Sequence, residues 1–253
     1  MMREPIEQIG RLDCQRAGLK ERCGEKLILT VLFLIVLGLF SGCSWFRHQD
    51  MAKATPEGLY RQGIEYYQNG RYEKAVNQFR RVKEEYPLSP TAILAEMGIG
   101  DAFFSDENYI EAEAVYTEFA GLHPTNENLP YIYYQLGMCH YNQMSAIDRD
   151  QSEAVKALKE FERLRARFPN SRFAFMAEKK LVDCRRNLAE QEFYIGRFYF
   201  KMKKYKAALR RFELITRDFA GLGLDYKVDY FLRETRRNLA EEAAKRKAMG
   251  LSD

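Results

Sequence analysis

The chain has 253 residues, enough for one or two ordinary domains or for one elongated repeat array. Its 40 Lys and Arg nearly balance its 36 Asp and Glu, which argues against a nucleic-acid-binding protein, since phosphates require concentrated positive charge. With 46% hydrophobic and 30% charged residues, the composition supplies a core and excludes wholesale disorder.

The first element is an apolar run of 14 residues, from Leu27 to Phe40. A transmembrane helix needs about 20 apolar residues, whereas a shorter run behind a cationic flank is typical of a secretory signal peptide. The letters LFSGC that end the run resemble the bacterial lipobox, whose Cys receives diacylglycerol before cleavage. Ser41, Gly42 and Cys43 match that pattern, and Phe40 stands where Leu is usual.

We therefore predict a lipoprotein signal peptide over residues 1–42 and a lipidated tether over residues 43–56. Cys43 would carry an N-acyl chain and an S-diacylglycerol group, and no other cofactor is predicted. These chains would hold the protein on a membrane, because each buried CH2 contributes roughly 0.8 kcal/mol. An uncleaved anchor and a plain secretory signal are the two alternatives.

The chain beyond the tether repeats itself at an interval of 37 residues. Six positions match between the first two copies: Gly63 and Gly100, Tyr66 and Phe103, Tyr72 and Tyr109, Ala75 and Ala112, Phe79 and Tyr116, Pro87 and Pro124. A third and a fourth copy keep the small and aromatic positions: Gly137, Ala157 and Phe161, then Gly196, Ala208 and Phe212. These spacings resemble the tetratricopeptide repeat, a 34-residue helix-turn-helix unit.

The resemblance implies an all-α fold, a tetratricopeptide-repeat α-solenoid of about five helix-turn-helix units. The periodicity predicts helices over residues 57–69, 72–86, 91–105, 108–121, 128–143, 151–167, 172–203, 205–219 and 225–248. Asn170 and Ser171 suit the start of the long seventh helix, and Gly250 suits the exit from the ninth.

In such an array the first helix of each repeat lines a concave surface, and residues at i, i+4 and i+7 share one helix face. We predict a peptide groove from these positions: Tyr60, Ile64, Tyr67, Met97, Phe104, Tyr134, Met138 and Tyr141. Large apolar side chains on this face suit a peptide that carries aromatic residues. The alternative is that neighbouring repeats or the C-terminal helix cover part of the face.

A basic stretch follows in the fourth repeat, FKMKKYKAALRRFELITRD. We predict that Arg197, Arg210 and Arg211 dock an acidic partner domain, where charge would steer association more than supply affinity. The alternative is a solvated helical face with acids nearby.

An enzyme is not predicted, and neither is a metal site. Cys139 and His140 are adjacent and point about 100° apart on a helix, so they cannot chelate one metal together. His140 occupies an inter-helix aromatic position and is expected to be a packed core residue. Cys139 and Cys184 are either buried free thiols or one disulfide. P-loop, dinucleotide and G-x-S-x-G motifs are absent from the sequence.

The lipobox, polar tether and repeats together resemble the BamD family of the β-barrel assembly machinery, most specifically in SAIDRDQSEAVKAL and LVDCRRNLAEQEFYIGRFYF. The resemblance implies a scaffold anchored in the outer membrane, on its periplasmic face. Repeats over residues 57–169 would receive unfolded outer membrane proteins, and repeats over residues 170–250 would dock a BamA-like barrel protein. Other lipoproteins of the machinery are further expected partners.

Generic repeats leave other functions open. A tetratricopeptide lipoprotein can act as a pilotin for a secretin, as a cell-envelope division factor, or as a plain peptide-binding chaperone. The protein that co-purifies through mild detergent distinguishes these functions.

Overall fold

The described residues, 55–250, form nine α-helices in this computed structural model, and no strand occurs among them. The helices are α1 (Pro56–Gln68), α2 (Tyr72–Glu85), α3 (Pro90–Ser105), α4 (Tyr109–Leu122), α5 (Leu129–Asn142), α6 (Ser152–Arg167), α7 (Arg172–Lys201), α8 (Tyr205–Asp218) and α9 (Asp225–Ala248). Each begins and ends within two residues of its predicted bounds. The all-α prediction is confirmed.

Contacts divide the chain into two units, Met1–Leu59 and Tyr60–Asp253, and the packed helix pairs lie in the second. The predicted signal peptide, the predicted lipidation site at Cys43 and nearly all of the predicted tether fall outside the described residues. Within residues 55–250, no helix has both the length and the apolar character that crossing a membrane requires.

From α2 onward, each helix packs against the next helix in the chain, and α5 also contacts α7. This pattern of neighbour contacts is the one expected of a helical repeat array. Short turns join the helices, and Ser171 caps α7 by accepting a hydrogen bond from the backbone N–H of Ala174 at 3.1 Å. The capping role predicted for Ser171 is therefore confirmed.

The two helices of a repeat approach closely because a glycine of the first helix lies beneath an aromatic ring of the second. A Cβ atom added at Gly63 or Gly100 would lie 2.5 Å from a ring carbon of Phe79 or Tyr116. The later pairs repeat the arrangement: Gly137 with Phe161 and Gly196 with Phe212. These are the glycine and ring positions that the sequence aligned between the four copies of the repeat.

Two clusters of buried side chains, both within residues 112–232, share α7. Residues of α4, α5 and α6 and the first half of α7 build one cluster. The second half of α7 builds the other with α8 and α9. At 1.5 Å per residue, the 30 residues of α7 extend about 45 Å, so the helix is long enough to contribute side chains to both clusters.

Cys139 and Cys184 are both buried and free, which confirms the free-thiol alternative. The Sγ atom of Cys184 lies 3.8 Å from the Sδ atom of Met144. Burial raises the pKa of each thiol to about 12, so neither thiol is a reactive thiolate at neutral pH.

Candidate functional site

A cleft between α1 and α3 contains half of the predicted groove residues. Its cavity is about 80 Å³, and its lining comes from the first two repeats: Tyr60, Ile64, Tyr67, Phe79, Leu94, Met97, Gly98 and Asp101. Tyr60, Ile64, Tyr67 and Met97 were predicted on their i, i+4 and i+7 spacing, and the structure brings them together. All four are half-buried, so each presents part of its surface to the cleft.

The cleft walls are held by contacts between the two helices and within repeat one. The Tyr67 hydroxyl lies 2.8 Å from Ser105 Oγ, which joins the end of α1 to the end of α3. The Tyr60 ring lies 5.4 Å from the ring of Phe79, centroid to centroid. Leu94 is 43% exposed and lies one helical turn before Met97, so its place in the cleft follows from the same helical spacing.

The other predicted groove residues lie elsewhere on the array. The Phe104 ring packs 5.3 Å from Tyr109 of α4. The Tyr134 ring lies 5.8 Å from the ring of Phe173 of α7. Both rings and Met138 pack against the buried cluster of α4, α5, α6 and the first half of α7. A groove that continues from the first repeat to the third stays a prediction.

Tyr141 is held by α7. Its hydroxyl donates to Asp183 Oδ2 at 3.2 Å, and Lys180 Nζ lies 3.8 Å from the centre of its ring. The α7 helix thus covers part of the face that Tyr141 was predicted to offer to a peptide.

A carboxylate at the edge of the cleft is bound by two tyrosines. Asp101 Oδ1 accepts hydrogen bonds from the hydroxyls of Tyr116, at 2.7 Å, and Tyr131. Gln135 Nε2 donates to the Tyr131 oxygen at 3.1 Å and supports the arrangement. Burial raises the pKa of the Asp101 carboxyl above its usual value, and the hydrogen bonds act in the opposite direction.

The predicted docking arginines have different environments. Arg210 is exposed on α8. The guanidinium of Arg197 lies 5.9 Å from the ring centre of Phe193 and 6.0 Å from that of Phe231. Arg211 Nη1 donates to both carboxylate oxygens of Glu192, at 3.0 and 2.8 Å, so this side chain already has a partner within the protein.

His140 is 4% exposed and packs between two other helices, as predicted. Its Nδ1 atom lies 2.7 Å from Glu153 Oε2, and its Nε2 atom lies 3.5 Å from Glu113 Oε1. In the part of the chain that the structure describes, no group of three or more His, Cys, Asp or Glu side chains is placed to hold a metal ion.

Paired helices, with a glycine of one helix against an aromatic ring of the next, define a protein of the tetratricopeptide-repeat type. Residues 52–251 match the family described as YfiO, outer membrane lipoprotein, and the chain belongs to that family. This places the protein among outer membrane lipoproteins.

Characterised relatives agree with this assignment. The chain is 31% identical to an outer membrane protein assembly factor BamD of Rickettsia prowazekii over 189 residues, 74% of this chain and 75% of the relative. It is 30% identical to the protein of that name from Caulobacter vibrioides, over 74% of this chain and 62% of that relative. A thermophilic TPR protein of Thermus thermophilus aligns with a TM-score of 0.38 and 17% identity, over 70% of this chain and 99% of that one.

Proposed function

We propose that this protein is an outer membrane protein assembly factor, a lipid-anchored scaffold on the periplasmic face of the outer membrane. It receives unfolded outer membrane proteins on its N-terminal repeats and docks a BamA-like barrel protein through its C-terminal repeats. Support comes from the family match over residues 52–251 and from the assembly-factor function that the BamD relatives carry in their names. The family match does not favour a pilotin or a division factor.

The observation that carries the client-binding part is the cleft between α1 and α3. Its walls are rings and long apolar side chains on half-buried positions, which offer contact surface at a low cost in side-chain entropy. The cavity of about 80 Å³ suits one side chain of a peptide rather than a folded partner. An extended peptide would therefore lie along the helices and place a single side chain in the cleft.

Fluorescence anisotropy with a labelled peptide from the C-terminal strand of an outer membrane protein tests this role. Replacing Tyr67 and Met97 together by Ala removes two cleft walls, and we expect the Kd to rise by about tenfold. Tyr226→Ala is the matched control, because this tyrosine is 84% exposed on α9 and lies outside the cleft lining. Unchanged affinity in the double variant contradicts the assignment.

The extent of the groove is settled in the same assay. Ala substitutions at Phe104 and Tyr141 remove predicted groove side chains that lie outside the α1–α3 cleft. A further loss of affinity in these variants extends the groove to the third repeat. Wild-type affinity confines binding to the cleft.

A further inference from the structure

Asp101 is a carboxylate at the cleft that has no cationic partner among the residues that the structure describes. None of the ion pairs formed within residues 55–250 includes it. Both tyrosine hydroxyls donate to the same oxygen, Oδ1. An ionised carboxylate has about four acceptor sites on its two oxygens, so Asp101 keeps capacity for a further donor.

The walls beside Asp101 are the kind that bind cations. Tyr60 and Tyr67 line the same cleft, and the faces of aromatic rings attract ammonium and guanidinium groups. The carboxylate acts on these walls: the pKa of the Tyr60 hydroxyl is raised by burial and further by the negative charge of Asp101. Ile64, Leu94 and Met97 supply apolar surface along which the alkyl stem of a Lys or Arg can lie.

The alternative occupant, an aromatic side chain, fits this chemistry less well. A ring in the cleft would remove water from Asp101 without supplying a further donor, and a buried carboxylate that has only neutral hydroxyl donors is costly. A guanidinium or ammonium would instead replace the lost water with a charge-assisted hydrogen bond. Charge complementarity therefore favours a cationic side chain over an aromatic one as the occupant of the cleft.

We propose that the α1–α3 cleft is a subsite for a Lys or Arg side chain of a bound peptide, with Asp101 as its charge partner and Tyr60 and Tyr67 as its aromatic walls. This inference rests on the proposed function, that the first repeats hold an extended client peptide. It adds a requirement for the sequence of the client. A segment with a basic residue among apolar ones binds more tightly than the same segment without it.

The test uses a set of labelled peptides in which a single Arg moves along an otherwise constant sequence of alternating polar and aromatic residues. Each member is matched by a peptide with citrulline, a neutral side chain of the same shape, at that position. At one position we expect the Arg peptide to bind the mature protein about tenfold more tightly than its citrulline partner. The difference should shrink with added salt, because the side chains that line the cleft are partly exposed to solvent.

Asp101→Asn identifies the group responsible. The amide oxygen of Asn can still accept from Tyr116 and Tyr131, so the variant removes the charge and keeps the hydrogen bonds. We expect the preference for Arg to disappear in this variant. Asp106→Asn makes the same change in charge at the exposed end of α3, and there we expect the preference to remain.

The outcomes separate the two proposals. Equal affinity for the Arg and citrulline peptides at every position overturns the cationic subsite and leaves the groove intact. An Arg preference that survives in Asp101→Asn also overturns it, provided that thermal unfolding followed by circular dichroism shows the variant to be folded. Failure of every peptide to bind the wild-type protein overturns the subsite and the client-binding role together.

Discussion

Phe79 lies between two glycines, Gly63 of its own repeat and Gly98 of the next. Without a Cβ at either position, both helices can approach the ring, one beside its Cδ1 and Cε1 atoms and the other beside its Cδ2 and Cε2 atoms. The same pairing of glycine and ring recurs along the array, so a single missing methyl group sets the spacing of each helix pair. Stability should therefore depend on these glycines through packing rather than through backbone conformation.

Gly137→Ala tests this dependence. The added methyl group would clash with the ring of Phe161, which also packs against Tyr134 and Tyr141. Overpacking of this kind typically costs about 1–3 kcal/mol, so we expect the Tm to fall by about 5 °C in calorimetry.

Gly121→Ala is the matched control for this substitution. It adds the same methyl group to a helix of the same array, but no atom lies within 4 Å of the new Cβ. Because Ala is the better helix former, its Tm should stay equal or rise. Equal loss of stability in the two variants would contradict the packing explanation.

The residues that the sequence could predict are those whose environment repeats. The glycine and ring positions recur 37 residues apart in the first two copies and mostly at longer intervals in the later ones, so their roles follow from the repeat pattern alone. The network around Asp101 does not repeat, since its partners Tyr116 and Tyr131 come from two further helices, α4 and α5. Such a network depends on how three helices stack, which periodicity does not determine.

At the scale of the elements, α7 shows both the strength and the limit of helical periodicity. Its start follows from the Ser171 cap, and its length follows from an uninterrupted pattern, so its predicted bounds are close to those observed. Its coverage of Tyr141 through Lys180 and Asp183 depends on the crossing of α7 over α5. The hydrophobic pattern within a single helix does not determine the angle at which α7 crosses α5.

The predicted docking arginines on α7 and α8, Arg197, Arg210 and Arg211, also differ in how far the sequence alone describes them. Arg211 and Glu192 face each other because the two helices pack in one particular register, and both side chains are partly buried. Reversing the charge at Arg211 would leave Glu192 beside a like charge and would weaken the helix pair itself. A test of docking should therefore use Arg197 and Arg210.

Replacing Arg197 and Arg210 together by Glu should reduce co-purification of a BamA-like barrel protein in mild detergent by about tenfold, because complementary charge would become repulsive. Both side chains are exposed, so the fold should tolerate the change. Lys74→Glu with Lys159→Glu is the control, since it reverses two exposed charges on α2 and α6. Normal recovery of the partner from the Arg197 and Arg210 variant would show that these residues do not dock it.

At the scale of the whole molecule, the cleft and the basic surface occupy different repeats of one array. The predicted division into a client-binding half, residues 57–169, and a docking half, residues 170–250, stays a prediction. The hydrophobic cluster of α4, α5 and α6 continues into the first half of α7, so packing crosses residue 170 without a break. The α7 helix thus provides a continuous packed connection between the two sets of repeats.

The lipid on Cys43 is the last feature that the proposed role requires, because acyl chains would hold the scaffold on the outer membrane. Mass spectrometry of the purified protein should find a mature chain that begins at Cys43 and carries an N-acyl and an S-diacylglycerol group. Cys43→Ser should abolish both groups and remove the protein from the outer membrane fraction, while its circular dichroism spectrum stays that of a folded helical protein.

Equal yields of acylated protein from the wild type and from Phe40→Leu would show that Phe40 is tolerated in the lipobox. A wild-type chain that keeps residues 1–42, or a Cys43→Ser variant at normal level in the outer membrane, would contradict the anchor.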